Sequence, residues 1–329
     1  MLRPAGVRKR RVYPDMKRDT LGADAVLLTT ALIWGFAFVA QRVGMEYVGP
    51  FLFNGIRFAL GCLVLMPVLL LKNGGQTPVP GRPPGETKKA AVGGSLLAGF
   101  LLFGGASLQQ VGIVYTTAGK AGFITGLYVV IVPLLGLAWG QRTNGGTWAG
   151  AFLAAAGLYL LSVTGAFRID RGDFLVFLGA FFFAGHVLVI GWLSPRMNSF
   201  RLAFVQYAAC SVLSLAVAAL VETATTEGLL KALPAVFYGG VLSVGVAYTL
   251  QVIGQRRAHP AHASILLSLE SVFAALGGWL WLEEMLSIRQ LGGCALMLSG
   301  MLLSQLWVYI VERKPDGATL PLRKPGRTT

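Results

Sequence analysis

Two ionisable residues stand where apolar runs should admit none. Arg57 lies about six residues into the run 51–71, and Glu270 about nine residues into the run 261–282. A charge inside a bilayer costs at least about 2.5 kcal/mol unless paired or wetted, so each marks a functional hypothesis. The planar guanidinium of Arg57 can clamp a substrate carboxylate or phosphate through two parallel hydrogen bonds. The alternatives are a pair with Glu46 or a side chain that snorkels to the surface. A carboxyl shielded from water holds its proton more tightly than one in water. Glu270 could therefore take up and release a proton as a coupling group, or hold a substrate amine. Its alternative is a hydrogen-bonded carboxyl that joins two helices. His186, inside the run 174–193, would act as a proton relay only beside an acidic or water partner; otherwise it is a packed, hydrogen-bonded residue.

A wider set of polar and aromatic residues shares these runs. Gln109, Gln206, Tyr248 and Gln251, with Trp34, Phe38 and Tyr128, could wall a substrate cavity with a few directed polar groups, as ligand sites usually have. Gln110, Thr125, Tyr207 and Phe36 belong to the same class of position. For each amide taken singly, hydrogen bonding between helices worth ~1 kcal/mol is the competing reading.

The elements that must position these residues come in two copies. Shifting the sequence by 142 residues places Leu108-Gln109 on Leu250-Gln251, Gly112 on Gly254, Ala121 on Ala263, Tyr128 on Glu270 and Gly136 on Gly278. Nearer the start the shift is about 149, and Arg57 falls on Gln206. A repeat this long is no solenoid unit, which runs roughly 20 to 50 residues; it is a duplicated membrane half. Ten spans are expected, at 23–44, 51–71, 91–115, 118–140 and 147–164, then 174–193, 201–221, 233–253, 261–282 and 288–311. This gives an all-α integral membrane protein of ten transmembrane helices in two inverted five-helix repeats. A basic tail (1–22) precedes the repeat 23–164, a linker (165–173) joins it to the repeat 174–311, and a second basic tail covers 312–329. The run after the first tail is too long for a signal-peptide core.

Composition excludes several classes. Of 329 residues, 55% are hydrophobic and 13% charged, against about 25% charged in soluble domains. The net charge of +14 lies in loops and tails rather than on one soluble face, which excludes nucleic acid as a partner and follows the positive-inside rule. That rule places both termini in the cytoplasm and the protein in the plasma (inner) membrane. Cys62, Cys210 and Cys294 are far apart in sequence and read as packing residues. His259 and His262 lack a visible third ligand, so no metal is expected, nor any cofactor. No Walker A, GxSxG or HExxH motif is present. Small-xxx-small spacings at Gly136/Gly140 and Gly146/Gly150 suit close helix approach and leave a homodimer open.

The residues also carry a family pattern. It includes Ala31-Leu32-Ile33-Trp34-Gly35-Phe36, Arg57-Phe58, Tyr115-Thr116-Thr117-Ala118-Gly119-Lys120-Ala121, Leu127-Tyr128-Val129-Val130 and Leu269-Glu270-Ser271-Val272. It resembles the EamA-type transporters of the drug/metabolite transporter superfamily. The resemblance implies a secondary carrier that exports small organic metabolites, often amino acids or related compounds, by alternating access, with a small-molecule substrate, the lipid bilayer and a proton or other coupling ion as partners. A lipid or lipid-linked substrate translocase is the alternative, and an intramembrane enzyme the more distant one. Ser271 stands where the family often has Pro, so the ninth helix is expected to be less kinked.

Overall fold

A backbone that enters hydrocarbon finds no water to bond, so each long apolar run must satisfy its own N–H and C=O groups as helix. The structure, a computed structural model, describes residues 16–72, 88–138, 140, 144–162, 171–285 and 287–311, and contains no strand among them. Most of the basic tails, of the Pro- and Gly-rich connection and of the linker expected at 165–173 lies outside the described residues.

The first repeat holds α1 (Met16–Gly44), α2 (Pro50–Lys72), α3 (Lys88–Ile113), α4 (Ala118–Thr125), α5 (Tyr128–Ala138) and α6 (Gly145–Ser162). The second holds α7 (Arg171–Leu193), α8 (Ser199–Val221) and α9 (Thr226–Phe237), continued by a π-helical segment (Tyr238–Tyr248) and α10 (Thr249–Gly254). It ends with α11 (Pro260–Leu267), α12 (Glu270–Leu282) and α13 (Ile288–Val311). Among the described residues, eight helical stretches are long and apolar enough to cross a bilayer, with α4–α5, α9–π–α10 and α11–α12 each forming one. The other two expected spans are helical as α6 and α13, which pack against each other.

Short turns make successive stretches antiparallel. The helices α2, α4, α7 and α9 begin at one end of the bundle, here the Pro50 end; α8 and α11 begin at the other, the Pro260 end. The two repeats exchange their first helices. α1 packs on α12 and along the α9–π–α10 stretch, while α7 packs on α3 and α5; α2 and α8 meet in the middle. At Gly35 a Cβ would lie 2.2 Å from Phe273 Cβ and 2.7 Å from Glu270 O. Only glycine lets α1 lie this close to the start of α12.

The fourth and ninth stretches break at equivalent places. α4 stops at Thr125 and α5 starts at Tyr128; α11 stops at Leu267 and α12 starts at Glu270. Tight i→i−3 bonds bridge both breaks, Val129 N to Gly126 O at 3.0 Å and Ser271 N to Ser268 O at 3.1 Å. The ninth stretch is thus broken although Ser271 stands where the resemblance puts a proline. The physical reason is local: Ser264 Oγ and Ser268 Oγ each donate to a carbonyl three residues back, both at 2.8 Å, which loosens the helix without proline. The Ser271 hydroxyl instead crosses to the other broken helix and donates to Gly122 O at 2.7 Å.

Candidate functional site

Both breaks open onto one cavity between the repeats. Tyr128, the first residue of α5, and Glu270, the first of α12, line it together with Trp34, Phe38, Gln41, Arg57, Gln109, Thr125, Phe183, His186, Val187, Ser243, Tyr248 and Gln251. The space open to the centre of a water molecule is about 30 Å³, roughly twice what one water needs. The lining is largely symmetric under the repeat shifts. Trp34 is the equivalent of Phe183, Phe38 of Val187, Gln109 of Gln251, and Tyr128 of Glu270. The ionisable groups break this symmetry: Arg57 belongs to the first repeat and Glu270 to the second.

Arg57 is 2% exposed and Glu270 3%, and no ion pair joins them among the described residues. Phe53 and Phe58 lie 5.6 Å and 5.1 Å from the guanidinium carbon, so the plane is fixed by aromatic faces rather than by an acid. The expected alternatives for Arg57, a Glu46 pair or a snorkelling side chain, do not fit a residue buried at the cavity. Buried polar atoms on the lining without a hydrogen-bond partner among the described residues include Gln41 Oε1, Arg57 Nε and Gln251 Oε1, while the Tyr128 hydroxyl and the Glu270 carboxyl interact with each other. Orphaned groups are uncommon in a folded interior, and these converge on one cavity.

Other polar groups are already engaged. Gln109 Nε2 donates to Thr125 Oγ1 at 2.9 Å. Gln206, the equivalent of Arg57, does not line the cavity; its Oε1 lies 2.7 Å from His186 Nε2. His186 thus has an amide partner, whereas a relay calls for an acid or water. Gln110 Nε2 donates to Gln41 O at 3.3 Å, and Tyr207 Oη bonds Thr249 Oγ1 at 2.9 Å. Phe36 packs on Phe273 and Trp281 instead of the cavity. His259 caps α11, its Nδ1 accepting from Ala261 N at 3.3 Å, and His262 Nε2 lies 3.0 Å from Asp24 Oδ1. No cluster of metal-ligating side chains occurs among the described residues.

Ser243 and Tyr248 of the lining belong to the π-helical segment. In the π-helical segment each turn is wider than in an α-helix, a distortion that concentrates at functional sites. Its carbonyls take bonds from α1: Trp34 Nε1 donates to Ser243 O at 3.2 Å and Thr30 Oγ1 to Ala247 O at 3.4 Å. Tyr238 Oη returns a bond to Ile33 O at 3.0 Å. Tyr248, at the end of the segment, packs its ring 4.4 Å from that of Trp34. The expectations from sequence omitted Gln41, Phe183, Val187 and Ser243. The 149-residue shift that sets Arg57 on Gln206 also sets Trp34 on Phe183 and Phe38 on Val187, and would have found two of them. Nothing in the sequence marks the Ser243 carbonyl.

The profile of the EamA-like transporter family matches residues 21–163 and 170–306. A protein of Archaeoglobus fulgidus named as an uncharacterized transporter is 32% identical over 292 residues, spanning 88% of this chain and 87% of its own. The uncharacterized transporter YoaV of Bacillus subtilis is 22% identical over 294 residues, spanning 84% of this chain and 94% of its own. One crystal structure superposes with a TM-score of 0.69 at 20% identity, over 88% of this chain and 98% of that one; it speaks to the fold alone.

Proposed function

The chain belongs to the EamA-like transporter family, and from that premise we propose that it is a secondary-active exporter of small organic metabolites, amino acids or related compounds, working by alternating access between its two inverted repeats. The observation that carries this reading is the pair of buried ionisable groups, Arg57 and Glu270, on the lining of one cavity. A substrate with an acid and an amine group would satisfy both, its carboxylate on Arg57 and its ammonium on Glu270. The aromatic wall of Trp34, Phe38 and Tyr248 would take its apolar part. Glu270 is also the group placed to exchange a proton when the substrate leaves. In this reading α6 and α13 complete ten crossings, and the positive-inside rule places the Pro260 end and both termini in the cytoplasm, in the plasma membrane.

The test is a thermal-stability screen of the purified protein against amino acids, amines, nucleosides, sugars and organic acids. A ligand at a hundredfold excess over its Kd stabilises the folded state by about 2.7 kcal/mol. Amino acids or close relatives are expected to raise the Tm, with simple amines and simple acids weaker. Stabilisation confined to nucleosides or sugars would overturn the two-ended site. In liposomes, Glu270→Gln should keep substrate exchange and lose pH-driven uptake; intact pH-driven uptake would remove Glu270 as the coupling group.

A further inference from the structure

The two ends of the bundle are fastened differently, although the inverted repeat would make them alike. At the Pro50 end two helix starts of the first repeat are capped by acids of the second. Glu222, just after α8, accepts from Phe51 N and Leu52 N of α2, both at 2.8 Å. Glu284, just after α12, accepts from Ala118 N and Gly119 N of α4 at 3.3 Å and 3.2 Å. A carboxylate on exposed helix N–H groups gains both charge-assisted bonds and the helix dipole. Room for the first is made in the backbone, since a Cβ at Gly49 would lie 2.3 Å from the Glu222 carboxyl carbon. Asp173 of α7 adds a third cross-repeat link, accepting from Thr116 Oγ1 at 2.6 Å and Lys120 Nζ at 3.3 Å.

The symmetry-related helix starts lie at the Pro260 end, where the caps found among the described residues come from within the second repeat. At α8, Asn198 Oδ1 accepts from Phe200 N and Arg201 N at 3.0 Å and 3.2 Å. At α11, His259 Nδ1 serves Ala261 N. The positions equivalent to Glu222 and Glu284 are Asn73 and Arg142, which carry no carboxylate. Among the described residues, the cross-repeat polar contacts at this end, His262 with Asp24 and Ser95 Oγ donating to Met197 Sδ at 3.6 Å, join side chains and hold no helix start.

We propose that Glu222 and Glu284 are latches that hold the repeats together at the Pro50 end, so that the resting carrier opens toward the Pro260 end. This rests on the alternating-access reading and gives it a direction. With the Pro260 end in the cytoplasm, a protein latched in this way loads from inside, as an exporter must, and release requires the two caps to part.

The test is pulsed-EPR distance measurement on spin labels in a cysteine-free background. Val114 and Met285 flank the α4 latch at the Pro50 end; Leu137 and Arg256 lie at the Pro260 end. In the parent, the Val114–Met285 distances should form one narrow, short population. The double variant Glu222→Gln/Glu284→Gln keeps side-chain shape and removes the charges. It should raise the ratio of long to short Val114–Met285 distances about tenfold, while the Leu137–Arg256 distances shorten. Gly49→Ala, which displaces the Glu222 carboxylate without removing it, should move the same pair in the same direction. An unchanged Val114–Met285 distribution in both variants would overturn the latch. So would equal lengthening at both ends, because that signals a loosened fold rather than a gate. The readout needs no substrate, so the latch can fail while the ligand screen succeeds, and the reverse.

Discussion

Arg57 sits between two phenylalanine rings with no acid beside it, and a buried charge without a partner is a debt against folding. That cost is tolerated only where binding repays it. Two substitutions separate the terms. Arg57→Met keeps most of the volume and removes the charge, and should raise the ligand-free Tm while abolishing stabilisation by the ligand found in the screen. Arg57→Lys keeps the charge but loses the planar two-pronged donor. It should weaken binding about tenfold or more, as expected when a bidentate charged pair is reduced to a point contact. Unchanged affinity in the lysine variant would remove the clamp. His259 makes a different residue-scale prediction, because its role outside the membrane requires the neutral ring. Burial, and after it the neighbouring His262, hold its imidazole below the ordinary histidine range. A proton on Nδ1 would abolish the acceptor for Ala261 N. A lowered folded-state value means that this stability is present above the unfolded histidine pKa of about 6.5 and is lost as pH falls below it. The discriminating measurement is therefore the Tm difference between parent and His259→Asn across pH 7 to 5. Asparagine is an equally good cap and does not titrate, so the variant should gain on the parent as pH falls. Parallel curves would show that the cap is indifferent to protonation.

Elements decide whether these residues meet, and here α1 does most of the positioning. It lies against the start of α12 through Gly35 and is stitched to the π-helical segment by Trp34, Thr30 and Tyr238. Gly35→Ala would force its new carbon onto Phe273 Cβ and the Glu270 carbonyl, neither of which is the far end of a flexible chain. It should lower the Tm by an amount typical of core overpacking, about 1–3 kcal/mol, and reduce ligand stabilisation by moving Glu270. Retained binding at parental affinity would show that α12 can shift without harm to the cavity. Much of this level was legible in the sequence. The repeat spacing equates Tyr128 with Glu270, and ionisable or amide residues in apolar runs pointed to most of the cavity wall. What was not legible depends on contacts between distant segments. Ser264 and Ser268 break the ninth stretch without proline, the widened turns at 238–248 have no signature in residue type, and Gln206 is turned away from the cavity by a histidine twenty residues earlier. Glu222 and Glu284 lie in short connections between apolar runs, and only the packed structure shows the helix starts they hold.

At the scale of the molecule, direction follows from parity and charge together. In the proposed architecture each repeat has five crossings, an odd number, so the second repeat would enter from the opposite side, and a caps-and-latches asymmetry could then favour one end. This depends on α6 and α13 both crossing, since α6 must return the chain from the Pro260 end to the Pro50 end, where α7 begins. Single cysteines in a cysteine-free chain, labelled with an impermeant thiol reagent in intact cells, decide the point. Glu46 and Met285 should react from outside. Asn144, between α5 and α6, and Arg256, between α10 and α11, should react only after the membrane is opened. The bulk of the Lys and Arg residues lies, by sequence, in the tails and in the connection that contains Arg82, Lys88 and Lys89, and the positive-inside rule applied to them is the ground on which the proposed orientation puts the Asn144 and Arg256 side in the cytoplasm. Labelling of Asn144 from outside would remove α6 as a crossing and with it the inverted relation of the repeats. Labelling of all four in the opposite sense would keep the architecture but turn the latch toward the cytoplasm, and a carrier latched there rests open to the outside, as an importer would.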